Sequence, residues 1–260
     1  MTDTSSSPDY RIAVLDRSID LLEAMAHAGG PVGVTELSRA ISSTKSATFR
    51  ILATLEARGY VRRVPDSGKY QLGLNLVHLG QSALGRIDLR TIARPVLEDL
   101  HRRFNETVNL GVLSGGRIVY VDMVESQHGL RMAAQVGAHD NVHSTAIGKA
   151  ILANLPEGQR ESVLEGPLPA LTEKTLTTKE DLLKDIERIQ VSGFSRDRGE
   201  NEHGASCFGA PIFDARGNVT AAISVSGPDT RLNGEMAEDV AVAVRIAAQD
   251  ITERLAGRDG

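Results

Sequence analysis

The segment VTELSRAISSTKSATFRILATL, residues 34–55, predicts two short helices joined by a tight turn. The first helix is expected over residues 36–41, with Thr35 as its N-cap. The second is expected to begin after Ser43 or Thr44, since either side chain suits an N-cap. Two short helices at this spacing are typical of a helix-turn-helix.

The second helix has two contrasting faces. The face that we expect to be buried is apolar: Phe49, Leu52 and Leu55. The opposite edge carries small hydroxyls and cations, which can reach phosphates and base edges when a helix lies in the major groove of DNA. The residues expected to contact DNA from this helix and the turn before it are Ser43, Thr44, Lys45, Ser46, Thr48 and Arg50.

A β-hairpin is predicted directly after this helix, because Gly59 ends the helical spacing and the apolar residues then alternate. The expected strands are residues 60–64 and 69–72, joined by a Pro-Asp-Ser-Gly turn at 65–68. A hairpin in this position is a wing, and its cations are expected to hold phosphate: Arg62, Arg63 and Lys69. The alternative is that both cationic faces are only solvated surface.

Charge is distributed unevenly along the chain. Residues 31–70 carry seven cations and three anions, a net charge of +4, whereas the whole chain carries -5 and the remainder therefore -9. A small basic module on a larger acidic body is the distribution expected when only one part meets DNA.

Length and composition indicate a two-domain globular protein. The 260 residues exceed the usual size of one domain, and 41% of them are hydrophobic, enough for real cores. No apolar run approaches the roughly 18 residues that cross a bilayer. Residues 1–10 lack the features of a secretory signal and are expected to form a disordered tail. The single cysteine, Cys207, fits a reducing cytoplasm, where we expect the protein to act.

Helical spacing sets the predicted domain boundaries. A helix over residues 11–28 has two apolar stripes, one of Leu15, Ile19, Leu22 and Ala26 and another of Val14, Leu21 and Met25. Such a helix has two partners to bury against, one of which can be another subunit. A connecting helix is predicted over residues 73–84, so the chain divides into a DNA-binding domain (11–72), a linker helix (73–88) and a larger domain (89–260).

The larger domain is predicted to be α+β, with helices on an antiparallel sheet. Helices are expected at residues 89–104, 144–154, 179–191 and 235–255. Strands are expected at residues 107–113, 117–123, 129–134, around 194, 206–213 and 219–226.

Two constellations in this domain suit a small ligand. The helix that begins near Ser144 leaves backbone N–H groups at Ala146 and Ile147 without helical partners, which favours an anion; the alternative is an ordinary N-cap on Ser144. Ser224 and Ser226 alternate with apolar residues, so both hydroxyls lie on one strand face. A bound polar ligand could satisfy them, or they bond to each other or to neighbouring backbone.

The motifs HSTAIGKA (143–150), the segment from Gly193 to GAPI (209–212), and AAISVSGP (221–228) resemble the IclR-type bacterial transcriptional regulators, and the likeness covers residues 14–255. The resemblance implies a winged helix-turn-helix, a linker helix and a GAF-like effector-binding domain for small carboxylates. It further implies that the carboxylate is held at Ala146, Ile147, Asp197, Cys207, Ser224 and Ser226, with an apolar side lined by Leu130, Met132 and Ala205. The small residues bordering this pocket leave room for an aromatic acid such as a hydroxybenzoate.

Together these features predict a ligand-responsive regulator that binds a pseudo-palindromic operator in double-stranded DNA as a homodimer or a dimer of dimers. The alternatives are enzymes. A nucleophilic Cys207 would need a base such as His143 or His203 and a third orienting group, which the sequence does not identify. A metal site joining these residues with Asp197 matches no compact zinc spacing. We therefore expect no catalytic residue, no cofactor, no metal and no membrane partner.

Overall fold

The structure, a computed structural model, describes residues 12–83, 89–132 and 135–257, without the side chains of 81–83. The chain divides into two compact units, residues 1–86 and residues 87–260. The predicted tail at 1–10, the end of the linker at 84–88 and residues 133–134 lie outside the described residues. No helix in the described ranges is long and apolar enough to cross a membrane.

The first unit contains four helices and a hairpin. Its elements are α1 (Ala13–Ala28), α2 (Val34–Ala40), α3 (Lys45–Ala57), β1 (Val61–Arg63), β2 (Tyr70–Leu72) and α4 (Asn75–Ala83). Thr44 caps α3, because its hydroxyl accepts a hydrogen bond from Ala47 N at 3.2 Å. The N-cap residue of α2 is Gly33 rather than the predicted Thr35, so this helix begins earlier than expected.

The predicted wing is present. β1 and β2 pair antiparallel with Val61 opposite Leu72 and Arg63 opposite Tyr70. Tyr70 also exchanges two backbone hydrogen bonds with Val32, which ties the hairpin to the segment between α1 and α2. Val61 and Tyr70 are buried in the core of this unit, so the wing is held by packing as well as by pairing.

Two predicted faces of the first unit are wrong in detail. Phe49 is 46% exposed, whereas Thr48 is buried. Thr48 tolerates burial because its hydroxyl donates to Thr44 O at 2.9 Å, so no polar group is left unpaired. On α1 the buried residues are Leu21 and Met25; the stripe that includes Leu15 and Ile19 is more than half exposed at those positions, so within this unit it is uncovered.

The second unit is a six-stranded antiparallel sheet with helices on both faces. Its helices are α5 (Leu89–Phe104), α6 (Ala146–Asn154), α7 (Glu157–Val163), α8 (Lys179–Ser192) and α9 (Gly234–Ala256). Its strands are β3 (Thr107–Ser114), β4 (Arg117–Val124), β5 (His139–Asn141), β6 (Ser195–Asp197), β7 (Ala205–Phe213) and β8 (Val219–Pro228), in the order β5-β4-β3-β8-β7-β6. The predicted α+β class is confirmed.

Alternation along the strands separates the two faces of the sheet. Val108, Phe208 and Val225 contribute to a core shared with α5 and α9. Ile118, Tyr120 and other residues of the opposite face contribute to a second core shared with α6 and α8. On β3, β6, β7 and β8 this second face becomes polar, and it is here that a ligand site is found.

Three local predictions differ from the structure. Residues 129–132 form no strand, since their carbonyls accept from side chains instead: Leu130 O from Arg231 and Met132 O from Thr107. The strand beside β4 is β5, and α7 was not predicted. The N-cap of α6 is Thr145 rather than Ser144, with its hydroxyl accepting from Gly148 N at 3.1 Å.

Candidate functional site

The residues predicted to contact DNA lie mainly on the outer surface of α3 and the turn before it. Thr44, Lys45, Ser46 and Arg50 are exposed, and Ser43 is half-buried. Thr48 cannot contact DNA through its side chain, because that side chain is buried. Phe49, which the helical spacing places in the core, instead lies on the exposed surface among the cations.

The wing carries the other predicted cations. Arg62 and Lys69 are exposed. Arg63 is also exposed but engaged, since its guanidinium donates to the Tyr70 hydroxyl at 2.6 Å and lies 5.2 Å from the ring centroid. A guanidinium has five N–H donors, so this contact leaves others for a phosphate.

The second unit contains a cavity of about 470 Å³ between the sheet and the start of α6. Most of the predicted effector-binding residues line it: Met132, Ala146, Ile147, Asp197, Ala205, Cys207, Ser224 and Ser226. Leu130 does not; its side chain is 70% exposed and lies outside the cavity lining. The assignment of Leu130 to the apolar side is therefore corrected.

Strand register brings the polar side chains of the cavity together. Ser224 pairs with Asn109 on one side and Gly209 on the other, and two residues along, Ser226 pairs with Cys207. Cys207 in turn pairs with Asp197. We call these side chains the polar patch: Asn109, Asp197, Cys207, Ser224 and Ser226.

Glycines let α6 approach the polar patch closely. A Cβ on Gly209 would lie 2.8 Å from backbone atoms of Ala146, and a Cβ on Gly148 would lie 2.2 Å from Val142 O. The first turn of α6 therefore rests on the sheet with its N-terminus at the cavity. The N–H groups of Ala146 and Ile147, at the start of the helix, have no carbonyl to bond within it.

Asp197 is buried, and burial raises the pKa of its carboxyl above the usual range, although backbone hydrogen bonds oppose the shift. One of its oxygens accepts from Glu200 N at 2.6 Å and from Asn201 N at 3.4 Å. Burial raises the pKa of the Cys207 thiol well above its usual value, and the neighbouring Asp197 raises it further. Cys207 is therefore a thiol at neutral pH, unlike the thiolate that a nucleophile requires.

Asn109 is a cavity residue that the sequence analysis missed. Its side-chain nitrogen donates to Ser224 Oγ and Ser226 Oγ, each at 3.3 Å, and the two hydroxyls lie 3.3 Å apart. The serines thus bond to each other, which is one of the two alternatives for them, and to Asn109. The available signal was a polar residue at an inward position of an otherwise apolar strand.

The remaining cavity wall mixes aromatic and charged groups. The Tyr120 hydroxyl donates to Asp140 at 2.9 Å, and burial raises the pKa of that hydroxyl far above its usual range. Arg131 forms an ion pair with Glu125 at 3.5 Å. These pairs neutralise part of the acidic charge around the cavity.

The histidines considered for catalysis are engaged elsewhere. His143 hydrogen-bonds to Pro169 O at 3.1 Å, and burial lowers the pKa of its imidazole. His203 pairs with Glu173 at the surface, at 3.2 Å. In the part of the chain that the structure describes, no group of three or more His, Cys, Asp or Glu side chains could hold a metal ion.

Comparison with known proteins covers both units. The IclR helix-turn-helix domain matches residues 14–65, and the domain described as "Bacterial transcriptional regulator IclR C-terminal" matches residues 81–253. The HTH-type transcriptional regulator KdgR of Escherichia coli (strain K12) is 34% identical over 258 residues, which are 99% of this chain and 97% of KdgR. The transcriptional repressor IclR of the same strain is 34% identical over 245 residues, covering 93% of this chain and 89% of that protein.

Solved structures agree with the fold. IclR of Thermotoga maritima has a TM-score of 0.77 at 31% identity, covering 95% of this chain and all of that chain (100%). An IclR homolog from Microbacterium hydrocarbonoxydans, solved in complex with 4-hydroxybenzoate, has a TM-score of 0.82 at 27% identity with the same coverage, 95% and 100%. The curated relatives are regulators and not enzymes. The chain belongs to the IclR family of bacterial transcriptional regulators, with a helix-turn-helix for DNA and a carboxy-terminal domain for a small-molecule effector.

Proposed function

We propose that this regulator recognises a pseudo-palindromic operator as a homodimer or dimer of dimers, and that a small organic carboxylate in the cavity beside α6 sets its affinity for DNA. The proposal places its action in the cytoplasm, where bacterial operators are found. The observation that carries the effector half is the N-terminus of α6 at the cavity, seated on Gly209.

A helix N-terminus attracts an anion through its unpaired N–H groups and the positive end of the helix dipole. Ala146 and Ile147 supply two such groups at the cavity. The wall acids oppose an anion less than their number indicates, since Glu125 is paired with Arg131 and Asp140 accepts from Tyr120. A carboxylate at the start of α6 is therefore the arrangement we favour.

The cavity also limits the size of the effector. Its volume, about 470 Å³, suits a small acid and leaves room for one aromatic ring. Ala205 and Met132 supply apolar surface for such a ring. The complex of the Microbacterium homolog with 4-hydroxybenzoate shows that a related chain accepts an acid of this kind.

The oligomer is supported by apolar surface in the first unit. The exposed apolar side chains on or beside α1 and α4 include Ile12, Val14, Leu15, Ile19, Leu74, Val77 and Leu79. A second copy that covers these side chains would pair two recognition helices about one helical turn of DNA apart. An effector then changes DNA affinity only by binding the DNA-competent arrangement and its alternative unequally, with α4 as the connecting lever.

A thermal-shift screen tests the effector half directly, with carboxylates of increasing size and the matching neutral amides as controls, benzoate against benzamide among them. A ligand at a hundredfold excess over its Kd adds about 2.7 kcal/mol to folding stability. We expect acids to raise Tm where the amides do not, and we expect such an acid to change retention of the protein on its own promoter fragment. Equal shifts for acids and amides, or acids that leave DNA affinity unchanged, would overturn the proposal.

A further inference from the structure

One acceptor in the polar patch is left without a partner. Asn109 is 3% exposed, and its side-chain oxygen Oδ1 is fully buried with no hydrogen bond. The residue lines the cavity beside Ser224 and Ser226. A buried polar atom without a partner is costly, so a group that pairs with it on binding gains the free energy that the empty site forgoes.

The kind of group that Asn109 would accept follows from its neighbours. Both N–H bonds of its amide are directed at serine oxygens, at 3.3 Å each. One serine hydroxyl can donate to the other across 3.3 Å, and Ser226 can donate to the sulfur of Cys207. The donors of the patch therefore find acceptors within it. What the patch lacks is a donor for Asn109 Oδ1, which a carboxylate cannot supply.

Asn109 is also distant from the place proposed for the carboxylate. Gly209, on which the first turn of α6 rests, is separated from Asn109 by the intervening Ser224 of β8. Two strand spacings are about 10 Å. We propose that Asn109 is a specificity-determining residue that accepts a hydrogen bond from a hydroxyl of the effector, so that the site selects hydroxycarboxylates whose hydroxyl lies several atoms from the acid group.

This inference rests on the proposed carboxylate function and narrows it. The first test needs only the unaltered protein, titrated calorimetrically with 4-hydroxybenzoate, 4-methoxybenzoate and benzoate, and with 5-hydroxypentanoate and pentanoate as an aliphatic pair. The methoxy group accepts hydrogen bonds but cannot donate. In whichever series binds, we expect the hydroxy acid to bind about tenfold more tightly than its partners, the effect of one hydrogen bond to a buried acceptor.

A substitution assigns the preference to Asn109. In Asn109→Leu the tenfold preference is expected to disappear while the unsubstituted acids still bind. Asn154→Leu, which removes a half-buried amide at the far end of α6, is the matched control and should keep the preference.

The outcomes separate the two proposals. If hydroxy and unsubstituted acids bind equally to the unaltered protein, or if Asn109→Leu keeps the preference, the inference on Asn109 is wrong and the carboxylate site stands. If no acid of either series binds, the carboxylate proposal fails and the inference fails with it.

Discussion

Glu200 holds the fully buried ammonium group of Lys149 between its two carboxylate oxygens, at 2.7 and 2.6 Å. Asp185 lies 2.9 Å from the same nitrogen, and Arg196 O accepts from it at 2.7 Å. The backbone N–H of Glu200 also donates to Asp197. One residue therefore fixes α6 to the segment after β6 and positions a carboxylate of the polar patch.

We expect Glu200→Gln to destabilise the second unit by about 2–3 kcal/mol, because removing one member of a buried ion pair leaves the other charge undercompensated. Asp185 keeps the loss below the upper end of that range. Glu180→Gln removes a carboxylate from an exposed pair with Lys184 and is the control, with an expected loss below about 0.5 kcal/mol. Urea denaturation measures both; similar losses would show that burial of Lys149 carries no energetic weight.

Ala146→Pro should weaken carboxylate binding while leaving α6 intact. Proline is tolerated at the first helical position and removes a single N–H, and Thr145 before it already has the extended backbone that precedes proline, with ψ 148°. Lys179→Pro makes the same change at the first position of α8, after the extended Thr178, and does not touch the cavity lining. Calorimetric titration with an acid found by the thermal-shift screen should show weaker binding for the first variant only. Unchanged affinity in Ala146→Pro would exclude its N–H as a ligand contact.

Added methyl groups on two glycines should have opposite effects. Gly148→Ala places a Cβ 2.2 Å from Val142 O, a backbone atom that cannot move aside freely, and should cost at least about 2 kcal/mol. Gly158→Ala in α7 meets nothing within 4 Å and should be neutral or stabilise by up to about 0.5–1 kcal/mol, since alanine favours helix. Thermal melts of both variants decide the matter, and a neutral Gly148→Ala would mean that α6 need not approach the sheet so closely.

Asp197→Asn should alter how stability depends on pH. Burial raises the pKa of the Asp197 carboxyl in the folded state, so its contribution is complete below the unfolded value near 3.8 and is lost as pH rises through the folded pKa. The asparagine variant retains an acceptor for Glu200 N and lacks the buried charge. Its free energy of unfolding relative to the unaltered protein should therefore rise between pH 4 and pH 7.

Asp214→Asn provides the control for this pH dependence. Hydrogen bonds from the backbone of Asn218 lower the pKa of the exposed Asp214 carboxyl, so its contribution is present above the unfolded pKa and lost as pH falls. The pH trend of this variant relative to the unaltered protein should have the opposite sign. Parallel trends in the two variants would refute the assignment for Asp197.

Lys45→Ala and Arg62→Ala should each weaken operator binding and reduce its dependence on salt by about one unit of slope for each phosphate that the variant no longer neutralises. Effector binding should be unchanged in both. Lys174→Ala removes a cation from the second unit and should leave the salt dependence unchanged. Fluorescence anisotropy at salt concentrations from about 50 to 200 mM measures the slopes. A variant at Lys45 with the original slope would remove this residue from the DNA interface.

The sequence predicts elements whose determinants are local. Thr44 as a cap and the wing after Gly59 depend on neighbours only a few residues away, and both are present. Helical spacing alone cannot say which apolar stripe is covered. It therefore predicts Phe49 inside, although Thr48, with its hydroxyl bonded to Thr44 O, occupies the buried position.

The cavity requires contacts between residues far apart in the chain. Ser224 and Ser226 can be assigned to one strand face from alternation, but their partner Asn109 is 115 and 117 residues away. The same holds for Lys149, whose partner Glu200 is 51 residues distant. Strand register and side-chain packing decide such pairs, and neither is readable from spacing in one sequence.

Because α6 is seated on the sheet through glycine, the anchoring end of the cavity is built from main chain and tolerates almost no variation. Diversification is then confined to the side chains that face it, such as Met132 and Ala205, whose replacement leaves that seat untouched. A lineage of such regulators can acquire new inducers by single exchanges at these positions, and a biosensor engineer should randomise them while leaving Gly148 and Gly209 alone.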